Sequence, residues 1–302
     1  MDKRFLQSIS DMDDEVQRLL GKLNSQYQRD LKDHSRGDDI NDTEELLKKI
    51  TAATVVFAAA YGVLLQKYSG KVVAISLQSG SRVFTPLIKQ FPSSGAEKIK
   101  IQRLISSKEK NIQKILLNRK FPGTNKNVSQ RIAGMSNGTA RTVRNIIFDA
   151  QNQGKGSFEI AKLIEGYVKP SASGIRVAPW TIARRVLGKP ISYVPTGIPA
   201  GSVEYNAMRL ARTETAYSYQ QASQAWVDDP DFWYTTGVYW GLSKSHPNKD
   251  ICDEYHNHDE GLGKGVWRKC PKIPHPHCLC PVTPAVMDRD TFMKELKKRY
   301  GN

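Results

Sequence analysis

Cysteines and histidines crowd into residues 245–280, and this crowding constrains the fold more than any other feature of the sequence. The segment holds all four cysteines of the 302-residue chain and five of its six histidines: Cys252, Cys270, Cys278, Cys280, His246, His256, His258, His275 and His277. Thiolate and imidazole groups gathered in this way are the ligands of tetrahedral zinc sites. The alternative is a loop-rich segment with buried cysteines and solvated histidines. The spacing does not decide between them, because the close pair Cys278-Leu279-Cys280 is CxC and not the CxxC of zinc fingers.

Short motifs surround this cluster and follow one another in a definite order. They are Arg212-Thr213-Glu214, Trp240, Ser245-His246-Pro247, Asp250-Ile251-Cys252-Asp253, Gly261-Leu262-Gly263-Lys264-Gly265 and Pro274-His275-Pro276-His277-Cys278-Leu279-Cys280. The series resembles the C-terminal domain of the phage Mu F-like minor head proteins, also called head morphogenesis proteins, from Gly154 to Val286. Leu279 stands where that family usually has arginine, and residues 1–150 carry no motif that matches it.

The resemblance implies a minor capsid protein of a phage or prophage that has no enzymatic activity. Such a protein acts in procapsid assembly, and in DNA packaging or delivery, with the portal and other capsid proteins as partners. It would be found in the virion, in the capsid interior or at the portal vertex, and in the host cytoplasm during assembly. The motif residues with an expected structural role are Arg212, Glu214, Trp240, His246 and Asp250.

Four residues match the recurring ligand positions of that family: Cys252, His275, Cys278 and Cys280. Four such ligands imply a closed, structural zinc site. Cys270 and His246 are the substitutes, whereas His256, His258 and His277 are expected to be solvated.

Two enzymatic alternatives stay open at this point. His256-Asn257-His258 spells HNH, but the nuclease motif of that name spreads its residues over a longer unit. A metal-dependent nuclease could still hold a catalytic ion with carboxylate and imidazole groups: Asp250, Asp253, His256 and Asp259. The pair Arg212 and Glu214 also occurs in ADP-ribosyl transfer, but two residues without the strands of that fold favour a structural role.

Lysine and arginine concentrate in the middle of the chain. Residues 51–200 carry 23 Lys and Arg against 5 Asp and Glu, a net charge of +18, whereas residues 1–50 carry −3 and residues 201–302 are neutral. A surface this basic favours a polyanion such as double-stranded DNA, because neutralised phosphates release counterions without sequence readout. A solvated helical face, or a nonspecific DNA-binding protein outside a virion, is the alternative. The candidate DNA contacts are Lys98, Lys100, Arg103, Lys108, Lys110, Lys114, Arg119, Lys120, Arg141 and Arg144.

Hydrophobic periodicity predicts a mainly α chain with an elongated N-terminal helical region and a small α+β C-terminal domain. We expect a helical domain at 1–150, basic from about residue 51, and a Mu F-like domain at 151–302. Within the second domain, a Pro/Gly-rich insertion at about 169–201 and the Cys/His cluster at 246–280 are expected. The predicted helices are 2–36, 43–69, 96–120, 128–150 with a break at 136–138, 158–168 capped by Ser157, 203–227 and 290–300. Gly70 marks a bend and not an end of the second helix, because the apolar run continues to Leu77; a β-branched strand after Gly70 is the second choice. The predicted strands are 232–242 and 282–286.

The most apolar run of the chain is Thr51 to Leu65, which is 15 residues long. A membrane-spanning helix needs about 20 such residues, so we expect a buried helix and no membrane partner. The first ten residues lack the apolar core of a secretory signal.

Overall fold

The chain is mainly helical, with a small antiparallel sheet in its C-terminal part, as the sequence predicts. A computed structural model describes residues 3–34, 40–91, 94–120, 125–169, 201–243, 249–275 and 278–300. His246, His277 and residues 170–200, which make up nearly all of the expected insertion, lie outside this described part of the chain.

Eight α-helices and three strands follow one another along the described residues. The helices are α1 (Lys3–His34), α2 (Ile40–Ile88), α3 (Ser94–Asn118), α4 (Val128–Asn152), α5 (Ser157–Val168), α6 (Val203–Val227), α7 (Ile251–Asn257) and α8 (Arg289–Tyr300). A 3-10 turn at Pro230–Phe232 follows α6. The strands are β1 (Thr235–Trp240), β2 (Val266–Trp267) and β3 (Val282–Val286).

Helix α4 runs without the predicted break at residues 136–138. The prediction took Ser136, Asn137 and Gly138 for a new helix start, because Ser and Asn favour N-caps. In the structure, Ser136 and Thr139 are buried instead, and the Thr139 hydroxyl donates to the Met135 carbonyl one turn earlier. The N-cap is Asn127, whose side chain accepts from the Gln130 amide in a capping box.

Helix α5 begins one residue earlier than predicted. Gly156 is its N-cap, and Ser157 is its first helical residue rather than its cap. Gly156 contributes no side-chain hydrogen bond, so the helix begins without the cap that the sequence indicates.

Helix α2 continues through Gly70 to Ile88, as the apolar run after Gly70 predicts, and the strand that was the second choice there does not form. The β-branched residues after Gly70 stay helical, with Val72 and Val73 fully buried. Among the described residues, α2 is the one helix long and apolar enough to cross a bilayer, and 33% of its most apolar 18-residue window is buried. A single such helix is weak evidence, so the absence of a membrane partner stays a prediction.

The chain divides into two compact units, and each is discontinuous in sequence. The first unit comprises Met1–Ile9, Lys67–Leu116 and Arg212–Asn302, and the second comprises Ser10–Gln66 and Leu117–Ala211. This division differs from the predicted one at residue 150, since segments from both sides of that position enter each unit.

Aromatic rings form the centre of the first unit. Trp226 on α6 is fully buried, and its ring centroid lies 4.8 Å from both the Phe84 ring on α2 and the Phe232 ring. Tyr234 and Phe292 extend this packing, with their centroids 5.9 Å apart. These rings each bury a large apolar area, so they dominate the stability of this unit.

The sheet lies beside this aromatic core, with the strand order β2-β1-β3 and antiparallel pairing throughout. Val238 and Trp240 on one face of β1 are fully buried, whereas Tyr239 on the other face is 37% exposed. Gly237 allows β2 to approach, because a Cβ there would lie 2.9 Å from the Trp267 carbonyl carbon. The buried face of β1 forms the platform for the cysteine cluster.

Buried hydrogen bonds join the helices of the second unit. The Tyr27 hydroxyl on α1 bonds to the Thr54 hydroxyl on α2, and the Tyr61 hydroxyl donates to the Ala207 carbonyl of α6. The Asn24 amide donates to Glu165 of α5 over 3.1 Å. Burial raises the pKa of Tyr27 to about 12, so this phenol stays protonated at every physiological pH.

Candidate metal centre

A short helix that the sequence analysis missed, α7, positions the first cysteine. Asp250 is its N-cap and accepts from the Cys252 amide over 2.7 Å, while Asp253 accepts from the Asp250 amide over 2.7 Å. Reciprocal bonds of this kind form a capping box, so the spacing of the two aspartates was a signal available in the sequence. The box fixes Cys252 in the first turn, where it is fully buried.

Cys252, His275 and Cys278 come together as a group that could hold a metal ion. Their ligand atoms all lie within 4.8 Å of one another. The Cys252 Sγ is 3.3 Å from the His275 Nε2 and 3.6 Å from the Cys278 Sγ. Zinc at its usual bond lengths holds tetrahedral neighbours about 3.6 Å apart for sulfur and nitrogen, and about 3.8 Å apart for two sulfurs. The two spacings from the Cys252 Sγ therefore match two edges of a zinc tetrahedron to within a few tenths of an ångström.

The other two cysteines occupy different positions around this group. Cys280 is buried, and its thiol lies close enough to those of Cys252 and Cys278 to alter their protonation, although it is outside the three-residue group. Cys270 packs at the edge of the same apolar cluster, where its Sγ donates to the Pro271 carbonyl over 3.5 Å. Of the four predicted ligands, Cys252, His275 and Cys278 converge on one point, and Cys280 lies beside the two cysteines of that group.

The electrostatics of the cluster change with the presence of a cation. The neighbouring thiols of Cys278 and Cys280, together with burial, raise the pKa of Cys252 well above its usual range. The thiols of Cys252 and Cys278, whose pKa values are both raised, therefore stay protonated when no cation is near. A metal ion reverses this preference, since a coordinating thiol loses its proton outright. Burial alone raises the pKa of Cys270 to about 12, which makes that thiol unreactive.

The histidines expected to be solvated are packed instead, where the structure describes them. His256 is half-buried, with its Nδ1 2.9 Å from the Trp240 carbonyl. His258 stacks on the Trp267 ring at a centroid distance of 3.8 Å and an interplanar angle of 17°. Both imidazoles hold α7 against the sheet, so the prediction that they are solvated is wrong.

The glycine-rich motif is a turn that leads directly into β2 of the sheet. Gly261, Gly263 and Gly265 all have positive φ, at 85°, 103° and 75°, which only glycine adopts readily. The Asp259 carboxylate accepts from the Gly261 amide over 2.8 Å and from the Gly263 amide over 3.0 Å. The motif thus has a backbone explanation that needs no ligand.

The four residues of the nuclease alternative all have local structural bonds. Asp250 and Asp253 form the capping box, His256 contacts the Trp240 carbonyl, and Asp259 organises the glycine turn. Within the described residues they do not form a metal-binding group. The arrangement favours a scaffolding role, and the absence of enzymatic activity stays a prediction.

The remaining motif residues lie on buried surfaces of the first unit. Glu214 on α6 is 3% exposed and Arg212 is half-buried. Trp240 is fully buried and meets the Tyr255 ring edge-on, with the centroids 5.1 Å apart. These environments are those of packing residues.

The ten basic candidates are divided between the two units. Those on α3 up to Lys114 belong to the first unit, and Arg119, Lys120, Arg141 and Arg144 belong to the second. Lys100 pairs with Glu97 at 2.8 Å, and Lys108 pairs with Asp229 at 3.5 Å. The same helix also exposes two apolar side chains, Ile99 at 51% and Ile115 at 48%.

Replacing Asp250 with alanine tests the capping box. We expect Asp250→Ala to lower the free energy of unfolding by about 1 kcal/mol, because the Cys252 amide loses its acceptor. Asp250→Asn is the matched control, since its side-chain oxygen still caps the helix. Urea unfolding measures the free energy of unfolding of both variants. An equal decrease in the two variants would contradict the capping role.

Comparison with known proteins finds no matching family, no matching curated protein and no matching solved structure. The resemblance to the Mu F-like minor head proteins therefore rests on the ordered motifs themselves. What the structure adds is that Trp240, the Asp250–Asp253 segment, the glycine turn and the described part of the terminal Cys/His motif build one small sheet-and-cysteine assembly.

Proposed function

We propose that this chain is a minor head protein of a phage or prophage and that it acts as a structural component, not as an enzyme. In this proposal it joins the procapsid near the portal and contacts the packaged DNA through its basic residues. Its C-terminal part is a compact adaptor held together by zinc.

The convergence of the motifs carries this proposal. Cys252 and Cys278 are 26 residues apart in sequence, yet their sulfur atoms are 3.6 Å apart, and His275 completes the group. The capping box, the glycine turn and Trp240 all build the platform around that group. Four of the ordered motifs thus build one structural device, which supports a scaffolding role for this part of the chain.

A metal ion would compensate for a small core. Among the described residues, the apolar cluster at this site has six buried members, and three of them are the cysteines themselves. The members are Val238, Trp240, Val282, Cys252, Cys278 and Cys280. Cys252, His275, Cys278 and Cys280 would hold the zinc, which when bound links α7 to the segment before β3. Closed zinc sites contribute folding energy directly and often replace a core that is too small to fold.

The positive charge supports contact with DNA. Lys98, Arg103 and Lys114 are exposed on α3, and Arg141 and Arg144 are exposed on α4. Phosphate contacts of this type give affinity that falls steeply with salt and depends little on base sequence. A component that faces packaged DNA of any sequence needs that kind of binding.

Co-purification with the portal tests the proposed role. We expect the full chain, co-expressed with the portal protein of its source genome, to elute with the portal ring in size-exclusion chromatography. Failure to associate with portal or procapsid would contradict the head-protein role. Supercoiled plasmid incubated with the chain and Mg²⁺, Mn²⁺ or Zn²⁺ is expected to stay intact, and ion-dependent nicking would favour the nuclease instead.

A further inference from the structure

A polar cavity of about 310 Å³ lies within the second unit, among helices α4, α5 and α6. Its walls include three arginines, Arg131 and Arg141 from α4 and Arg209 from α6. No aspartate or glutamate is among the described residues that line it. Three guanidinium groups border one small space, and guanidinium is a side-chain group that binds the oxygens of an anion through several donors.

Neutral hydrogen-bonding groups complete the walls of this arginine cavity. Thr142 of α4, Tyr167 of α5 and Asn206 of α6 line it beside the arginines. Hydroxyl, phenol and amide groups can all donate to the oxygens of a phosphate, and guanidinium binds the same oxygens in a bidentate fashion. The volume is at the lower end of ligand-binding cavities, about 300 to 1,000 Å³, and suits a phosphate with part of what it is attached to.

Two glycines leave the space open on the α4 side. Arg131, Gly134, Gly138 and Arg141 recur at intervals of three or four residues, so they share one face of the helix. A Cβ added at Gly134 or at Gly138 would meet nothing within 4 Å. Glycine costs helix stability in such positions, and here its absence of a side chain provides the volume of the cavity.

We propose that this arginine cavity binds a phosphate group, and that the phosphate belongs to the nucleic-acid backbone. The inference deepens the DNA contact of the proposed function and rests on it for the source of the phosphate. The phosphate chemistry itself is independent of any role in head assembly. A small molecule that carries a phosphate would present the same group to the cavity. The experiment therefore distinguishes a nucleic-acid phosphate from that of a small molecule.

Calorimetric titration with inorganic phosphate tests the site on the full chain. Gly138→Leu should abolish phosphate binding, because the side chain fills the cavity without removing any charge. Arg141→Gln should weaken it about tenfold, as expected for the loss of a hydrogen bond to a charged group. Lys162→Gln is the matched control, since it removes an equal charge from α5, which also borders the cavity, while Lys162 itself lies outside the lining and should leave phosphate affinity unchanged.

Circular dichroism and melting curves identify any variant that fails to fold, and Gly134→Leu supplies a second filling change on the same face of α4 if leucine at position 138 is not tolerated. Equal phosphate affinity in the wild type and the filled variants would overturn the proposal, and so would the absence of phosphate binding to the wild type. Loss of phosphate affinity specific to Arg141→Gln would support it.

Fluorescence anisotropy with a labelled oligodeoxynucleotide at fixed salt then assigns the source. If the phosphate comes from nucleic acid, Gly138→Leu lowers DNA affinity and inorganic phosphate competes with the strand. If DNA affinity is unchanged while phosphate affinity is lost, the phosphate site stands and the nucleic-acid source is rejected. Portal co-purification is measured separately, so failure of the head-protein role leaves these binding results interpretable.

Discussion

The chain purified without chelator is expected to contain about one zinc ion, and Cys278→Ser with Cys280→Ser to contain none. Loss of the metal should destabilise the first unit by several kcal/mol, because the ion links α7 to the segment before β3 and closed zinc sites contribute directly to folding. Elemental analysis measures the zinc content. Melting curves with and without a chelator measure the stability that depends on it.

The fourth cysteine provides the matched control for this experiment. Cys270→Ser removes a buried thiol of the same apolar cluster, but Cys270 is outside the group that could hold the ion. We expect this variant to keep its zinc and to lose only the stability expected for a substitution at a buried position. If Cys270→Ser loses the metal while Cys278→Ser alone keeps it, the assignment of the ligands is wrong.

A chelator-insensitive melting curve, with no metal in the wild type, would contradict the zinc site as a whole. The cysteines would then act as core packing or form a disulfide after lysis. The Sγ atoms of Cys252 and Cys278 are 3.6 Å apart and all four cysteines are free thiols in the structure. Mass spectrometry under non-reducing conditions distinguishes a disulfide from free thiols.

The ligand set shows how much of the candidate metal site can be predicted from local sequence patterns. The crowding of Cys252, His275 and Cys278 was visible in the sequence because thiols and imidazoles are otherwise so rare in this chain. The position of Cys280 beside the group, and not within it, depends on the path of the backbone after α7, which no spacing rule specifies. Strands β1 and β3 were predicted, whereas α7 and β2 were missed because they have seven and two residues, too few for hydrophobic periodicity to be visible.

The long helices were predicted well as whole elements, but one feature inside a helix was not. Long amphipathic segments such as α1 and α6 were predicted with ends within about two residues, because many residues contribute to their periodicity. The predicted break in α4 failed for a tertiary reason. Ser136 is an N-cap former by local preference, but here it is buried and its hydroxyl donates to the Thr54 carbonyl over 3.4 Å. A partner that is 82 residues away cannot be inferred from local preference.

Replacing Gly80 with alanine should destabilise the first unit by about 2 to 3 kcal/mol, although alanine is the better helix former. The sequence Ser79-Gly80-Ser81 resembles a helix end, yet Gly80 lies inside α2 against the buried indole of Trp226. A Cβ at this position would lie 2.8 Å from the Trp226 Cδ1. The indole cannot move away, because Phe84 and Phe232 pack on it with centroids at 4.8 Å.

Gly138→Ala is the matched control for that clash. The same replacement of glycine with alanine should there raise the free energy of unfolding instead of lowering it. Nothing lies within 4 Å of a Cβ at Gly138, so alanine should stabilise α4 by about 0.5 to 1 kcal/mol through its helix propensity alone. Tryptophan fluorescence during urea unfolding reports on the first unit, which contains Trp226, Trp233, Trp240 and Trp267. Helical circular dichroism follows the whole chain. If both variants were stabilised, the close contact between α2 and α6 at Gly80 would be wrong, and with it the arrangement that supports the sheet under the cysteine cluster.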